Sequence, residues 1–212
     1  MKIAIGVAAG LLAAASQAQA ADRFPELTLD NMTPQQKQVA ESIMSGPRKS
    51  LSGPFNAWLR SPELGDRLQK VGEYIRFKTS LPPRLNEFAI LIAARYWTAQ
   101  YEWYAHYPLA MKAGLDPNVA ASLAAGRQPR GMQDDEKIVY DFCTELRTTR
   151  NVSDKTFNAA VAKFGEQGVV DLIGVSGYYD TVSMTLNVAR VSVPAGEPLP
   201  LKPLKKIEPA AH

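Results

Sequence analysis

LPPRLNEFAILIAARYWTAQYEWYAHYPLAMKAGL, residues 81–115, decides the fold of this chain. Leu81-Pro82-Pro83 stops whatever precedes it, and Pro83 suits a first helical turn, where its missing N–H has no helical partner to lose. Leu85, Phe88, Ala89, Ile92 and Ala93 then recur at helical spacing, which predicts a helix from about Pro83 to Tyr96. A second helix is expected from about Thr98 to Ala113, with Gly114 as its C-cap. Pro108 falls inside that span and is expected to kink or interrupt it just past His106.

The same stretch holds the candidate chemistry. Apart from the terminal His212, His106 is the chain's one histidine, and it closes a segment crowded with Trp97, Tyr101, Trp103 and Tyr104. Glu102 precedes it by four residues, so on a helix the carboxylate and the imidazole share one face within hydrogen-bond reach. Such a pair suits proton transfer near neutral pH. Glu87 lies on the preceding helix, which is largely apolar beyond its first turn. An acid in that setting needs a partner or takes up a proton.

Outward from this pair the punctuation is helical. Thr33-Pro34-Gln35-Gln36 reads as an N-cap, a proline at the first position and a glutamine at the third, opening a helix to about Met44. Gly46-Pro47 and Gly53-Pro54 bracket a basic, serine-containing loop, and Phe55, Trp58 and Leu59 suggest a short apolar turn. Ser61-Pro62 begins a helix expected to bury Leu64, Leu68, Val71 and Ile75. Asp116-Pro117 starts a short helix ending at Gly126, and Asp134 and Asp135 favour the start of another through Leu146. Ser153-Asp154 opens a helix that Gly165 stops, and a long helix follows from about Glu166 to Arg190, with Gly174 and Gly177 within it marking close packing or a bend. No run alternates with period two, so the expected fold class is all-α. From Pro194 to His212 the chain is Pro-rich and expected to be extended, wrapping a neighbouring subunit or staying mobile.

Residues 1–20 read as a cleaved signal peptide: Lys2, an apolar run from Ile3 to Ala15, and Ala18-Gln19-Ala20 before the expected cut. The apolar run is shorter than the roughly 20 residues a membrane span needs. The expectation is export, periplasmic in a bacterium, with no membrane association after cleavage. The remaining chain, residues 21–193 with the tail 194–212, suits one helical domain. The formal net charge falls from +3 to +2 without Lys2, and its basic residues are dispersed except for Lys202, Lys205 and Lys206, so no nucleic-acid partner is expected. Cys143 is the sole cysteine, which rules out an intramolecular disulfide, and its apolar neighbours suggest a core residue rather than a nucleophile.

The residues from Leu81 to Glu87, then Tyr101-Glu102-Trp103-Tyr104-Ala105-His106 and Ala113-Gly114-Leu115, resemble the carboxymuconolactone decarboxylase and alkylhydroperoxidase D superfamily. The resemblance covers most of the chain after the leader, and extends to Glu166–Leu172 and Ser183–Asn187. In the peroxidase branch a glutamate is followed by Cys-x-x-Cys and then a histidine. Counted from Glu87, the cysteine positions fall on Ala99 and Glu102 and the histidine position on His106. Both thiols are therefore absent, and paired-thiol peroxide reduction is excluded. The decarboxylase-like branch is the better likeness. It implies an alkylhydroperoxidase D-like helical domain, a homo-oligomer (trimer or hexamer), a small carboxylated or lactone-like substrate, and no metal or organic cofactor.

On that resemblance Glu87, Glu102 and His106 are the candidate catalytic residues, His106 transferring the proton and Glu102 orienting it. Arg84 or Arg95 is expected to hold a substrate carboxylate through its guanidinium fork, with Tyr101 and Trp103 completing the pocket. Other uses of the same residues stay open. The aromatic rings suit a core or a subunit interface. Glu102 and His106 at four-residue spacing could ligate a metal, with Glu87 as the third ligand. The fold could also serve a non-catalytic binding or scaffold protein.

Overall fold

The computed structural model describes residues 22–204. The expected signal peptide and the last residues of the tail, Lys205, Lys206 and His212 among them, lie outside the described residues. Within them the chain forms α1 (Pro34–Ser45), α2 (Phe55–Trp58), α3 (Pro62–Phe77), α4 (Pro83–Trp97), α5 (Gln100–Lys112), α6 (Pro117–Ala124), α7 (Asp134–Thr149) and α8 (Asp154–Ala189), and no strand. The fold is all-α.

The stretch that opened the sequence reading is the centre of the molecule. Every residue of α4 from Leu85 to Arg95 is buried, as expected for a helix enclosed on all sides rather than one resting on a surface. It packs against α5, α6, α7 and α8. The helix ends at Thr98, whose left-handed backbone (φ 49°, ψ 40°) lets Ala99 N–H reach back to the Ala94 carbonyl at 2.9 Å. A β-branched residue in that region costs on the order of 1 kcal/mol or more. Thr98 turns the chain so tightly that α5 begins two residues later and folds back against α4.

The other helix starts follow their local chemistry. Thr33 Oγ1 accepts from Gln36 N–H while Gln36 Oε1 accepts from Thr33 N–H at 2.8 Å, the reciprocal cap expected from Thr-Pro-Gln-Gln. Asp116 caps α6 and Ser153 caps α8. Gly165 adopts φ 70°, ψ 175° within α8, so α8 is two helical runs meeting at the expected stop.

Two local expectations are corrected. α5 is not interrupted at Pro108 and runs on to Lys112, which corrects the interruption alone. The proline's missing N–H releases only the Tyr104 carbonyl, and Tyr104 is half-buried at the molecule's edge. α3 is rotated from its expected face: Leu64 and Val71 are exposed, whereas Gly65, Gln69, Gly72 and Ile75 are buried. Close approach decides this face. A Cβ at Gly65 would lie 2.8 Å from the Trp58 carbonyl oxygen, and one at Gly72 would overlap the Tyr178 hydroxyl. Gly174 of α8 is close to Ile75 of α3 in the same way, a Cβ there lying 2.9 Å from Ile75 Cδ1.

The described part of the tail packs on its own chain. Gln100 accepts from Leu201 N–H at 2.9 Å and donates to the Leu201 carbonyl at 2.8 Å, and Leu201 is buried. Val170, Ile173, Met184 and Val188 stand exposed along α8 at spacings that put them on one face. No helix among the described residues is long and apolar enough to cross a membrane.

Candidate active site

The α4–α5 turn brings Glu87 and His106, nineteen residues apart, into contact. His106 Nδ1 lies 2.7 Å from Glu87 Oε2, and His106 Nε2 lies 3.0 Å from Glu102 Oε1. The imidazole therefore sits between two carboxylates, one from each helix, and all three side chains are buried. The two contacts differ. The Glu87 contact is a hydrogen bond, whereas Glu102 Oε1 has no aligned hydrogen-bond partner and meets the ring as a charge. Tyr179 of α8 presents its ring at 5.1 Å and 80° to the imidazole.

Burial alone would lower the imidazole pKa. The charge and proximity of Glu102, and then those of Glu87, outweigh it and carry His106 from 6.5 up to about 9. At neutral pH the ring is thus an imidazolium, donating from Nδ1 to Glu87 and facing the Glu102 carboxylate with Nε2. Burial also pushes the Tyr178 phenol up to about 12 and the Tyr179 phenol well above its ordinary value, so both hydroxyls stay protonated.

Glu102 and His106 open onto a cavity of about 220 Å³. Tyr101 and Ala105 of α5, Tyr178, Tyr179 and Val182 of α8, and the segment before α2 complete much of its wall. Glu87 stands behind the imidazole and does not line it. The arrangement is a chain of contacts that runs from Glu87 through His106 to Glu102, whose Oε1 is buried against the ring and accepts no aligned hydrogen bond.

The expected binding residues divide. Tyr101 lines the cavity. Trp103 does not: it is buried and stacks on Tyr107, with ring centroids 6.3 Å apart. Arg84 points to α7, where Asp135 and Glu136 of the first turn hold it, Asp135 Oδ2 at 2.9 Å. Arg95 is buried under the tail. Its Nη2 donates to the Lys202 carbonyl at 3.0 Å, while Nε and Nη1 have no partner among the described residues. The arginines that do line the cavity are Arg48, from the loop after α1, and Arg76, from α3. Sequence reasoning passed over both, together with Tyr178 and Tyr179. The basic loop between the two Gly-Pro pairs was the one available signal for Arg48.

Among the described residues no three His, Cys, Asp or Glu side chains are disposed as a metal-ligand group. Cys143 is buried with Sγ 3.4 Å from Ser176 Oγ, and burial pushes its thiol up, the opposite of what a reactive thiolate requires. Comparison with protein-family models, curated proteins and solved structures finds nothing that matches this chain.

Proposed function

We propose that this chain is an exported, cofactor-free acid/base enzyme of the carboxymuconolactone decarboxylase type, built on an alkylhydroperoxidase D-like fold. It acts on a small carboxylated or lactone-like compound by decarboxylation or a related lyase or isomerase reaction. One observation carries the reading: a histidine held as imidazolium between two buried carboxylates, at the wall of a cavity sized for a small molecule. In a decarboxylation the bond to the leaving carboxylate breaks, its electron pair stays on the substrate carbon as an enolate, and that carbon takes a proton. His106 supplies the proton, with Glu102 beside the reacting atom and Glu87 fixing the ring from behind.

A homo-oligomer, trimer or hexamer, belongs to the same proposal. The exposed apolar residues on one face of α8 support it, because monomeric proteins seldom leave such a stripe in water. Sedimentation of the purified protein tests this part, and a monomer at micromolar concentration contradicts it.

The enzymatic claim is tested by incubating the purified protein with a panel of small carboxylactones and keto or unsaturated acids, followed by mass spectrometry. The expected result is loss of CO2, or isomerisation, of at least one compound, reduced by roughly 10²-fold or more in a folded His106→Asn variant. Turnover unchanged by that substitution contradicts the role of His106. Ligand stabilisation with no product by any compound favours a binding protein on the same fold.

A further inference from the structure

The wall of the cavity away from the imidazole carries two cations with no anion of their own. Arg48 and Arg76 both line it, and among the described residues neither lies within 4.0 Å of a carboxylate. The one acid lining the cavity, Glu102, is engaged with His106.

The arginines are also set in a binding posture. The Arg48 guanidinium lies over Phe55 at 5.3 Å and over Phe77 at 5.9 Å, and Arg76 lies over Phe77 at 5.3 Å. A guanidinium lying over a ring can still receive a planar anion along its N–H edge. The edges are largely unused. Arg48 Nη2 makes one long bond, 3.5 Å to Tyr178 Oη, and Arg48 Nε is buried with no acceptor. Buried donors without partners are uncommon and destabilising, so such a group calls for a ligand.

We propose that Arg48 and Arg76 form a carboxylate clamp, and that the ligand of this cavity is a small organic acid whose clamped carboxylate is held rather than lost. The Tyr178 hydroxyl, protonated and within reach of Arg48, is a third donor to the same anion. Size limits the class. A cavity of about 220 Å³ suits a single-ring or short-chain acid. A carboxylate stabilised by two forks is stabilised as a carboxylate, so any CO2 that leaves comes from another position. The proposal rests on reading the cavity as a substrate site, but it concerns binding alone.

The test is calorimetric titration of the purified protein with acetate, benzoate and phthalate, with benzamide as the uncharged counterpart of benzoate. At least one of the acids is expected to bind, with benzamide at least about tenfold weaker than benzoate if benzoate is the one that fits. Arg48→Met and Arg76→Met are each expected to weaken the acid about tenfold or more, and the corresponding lysine variants less. Binding without turnover of any compound supports the clamp and removes the catalytic reading. The clamp is overturned if no acid binds up to about 10 mM, if benzamide matches benzoate, or if both arginine variants bind the acid as tightly as the native protein. Should a methionine variant fail to fold, the charged and uncharged pair on the native protein decides.

Discussion

Replacing His106 by Gln gives the most quantitative test of the buried relay, because it reads stability and needs no substrate. In the folded protein the imidazole titrates at about 9, against 6.5 when unperturbed. At 1.36 kcal/mol per unit, that difference amounts to about 3 kcal/mol of stability. The sign follows from proton counting. Between pH 6.5 and 9 the folded state holds a proton that the unfolded state has released, so stability falls as pH rises. The contribution is complete below pH 6.5 and lost as pH passes through 9. A glutamine amide cannot carry the charge, so the His106→Gln variant lacks this slope. It also leaves Glu87 and Glu102 without the cation that lies between them. Urea unfolding read by the fluorescence of Trp58, Trp97 and Trp103, at pH 6, 7.5 and 9, measures both proteins under one set of conditions. The difference between native protein and variant is expected to shrink by about 3 kcal/mol from the lowest to the highest pH. A difference that stays flat or grows refutes the protonated, doubly paired imidazole.

Three further outcomes follow from named contacts. Arg84→Met strips the partner from Glu136, which is almost fully buried, and is expected to cost about 3–5 kcal/mol by urea unfolding while leaving acid binding at the cavity unchanged. Gly72→Ala places a Cβ against the Tyr178 hydroxyl and 2.6 Å from Arg48 Nη2, so calorimetry is expected to show acid binding weakened about tenfold or more with the helical circular dichroism retained. Cys143 is expected to react with a thiol reagent only in denaturant. Labelling at the native rate of a free thiol contradicts its burial.

The helices were legible because each start and stop has a local cause. Thr33 and Gln36 cap one another, Gly165 cannot continue a helix in the conformation it adopts, and α4 is apolar enough to be central. The Glu102–His106 pair was legible for the same reason, since one turn of helix sets it. Glu87 stood out as an acid on an apolar helix, and the family likeness joined it to His106. What the sequence concealed depends on close approach. α3 shows a clear Leu64–Leu68–Val71–Ile75 periodicity, yet its buried face is set by Gly65 and Gly72, where backbone meets Trp58 and Tyr178. That rotation brings Arg76 to the cavity. Arg48 sits in a loop, which has no periodicity to read. Arg84 and Arg95 are nearer to His106 along the chain. Their guanidinium groups are taken up by Asp135 and Glu136 in one case and by the Lys202 carbonyl in the other, neighbours that only the fold supplies.

His106 enters neutral pH as the proton-carrying member of a three-residue relay with Glu87 and Glu102. Nuclear magnetic resonance titration of the imidazole nitrogens, with His106→Gln to assign the signal, measures this directly. The expected midpoint for His106 is near pH 9, moving down when Glu102 is replaced by Gln. A midpoint at or below 6.5 would mean a neutral, buried imidazole at physiological pH, and would contradict the relay as an acid.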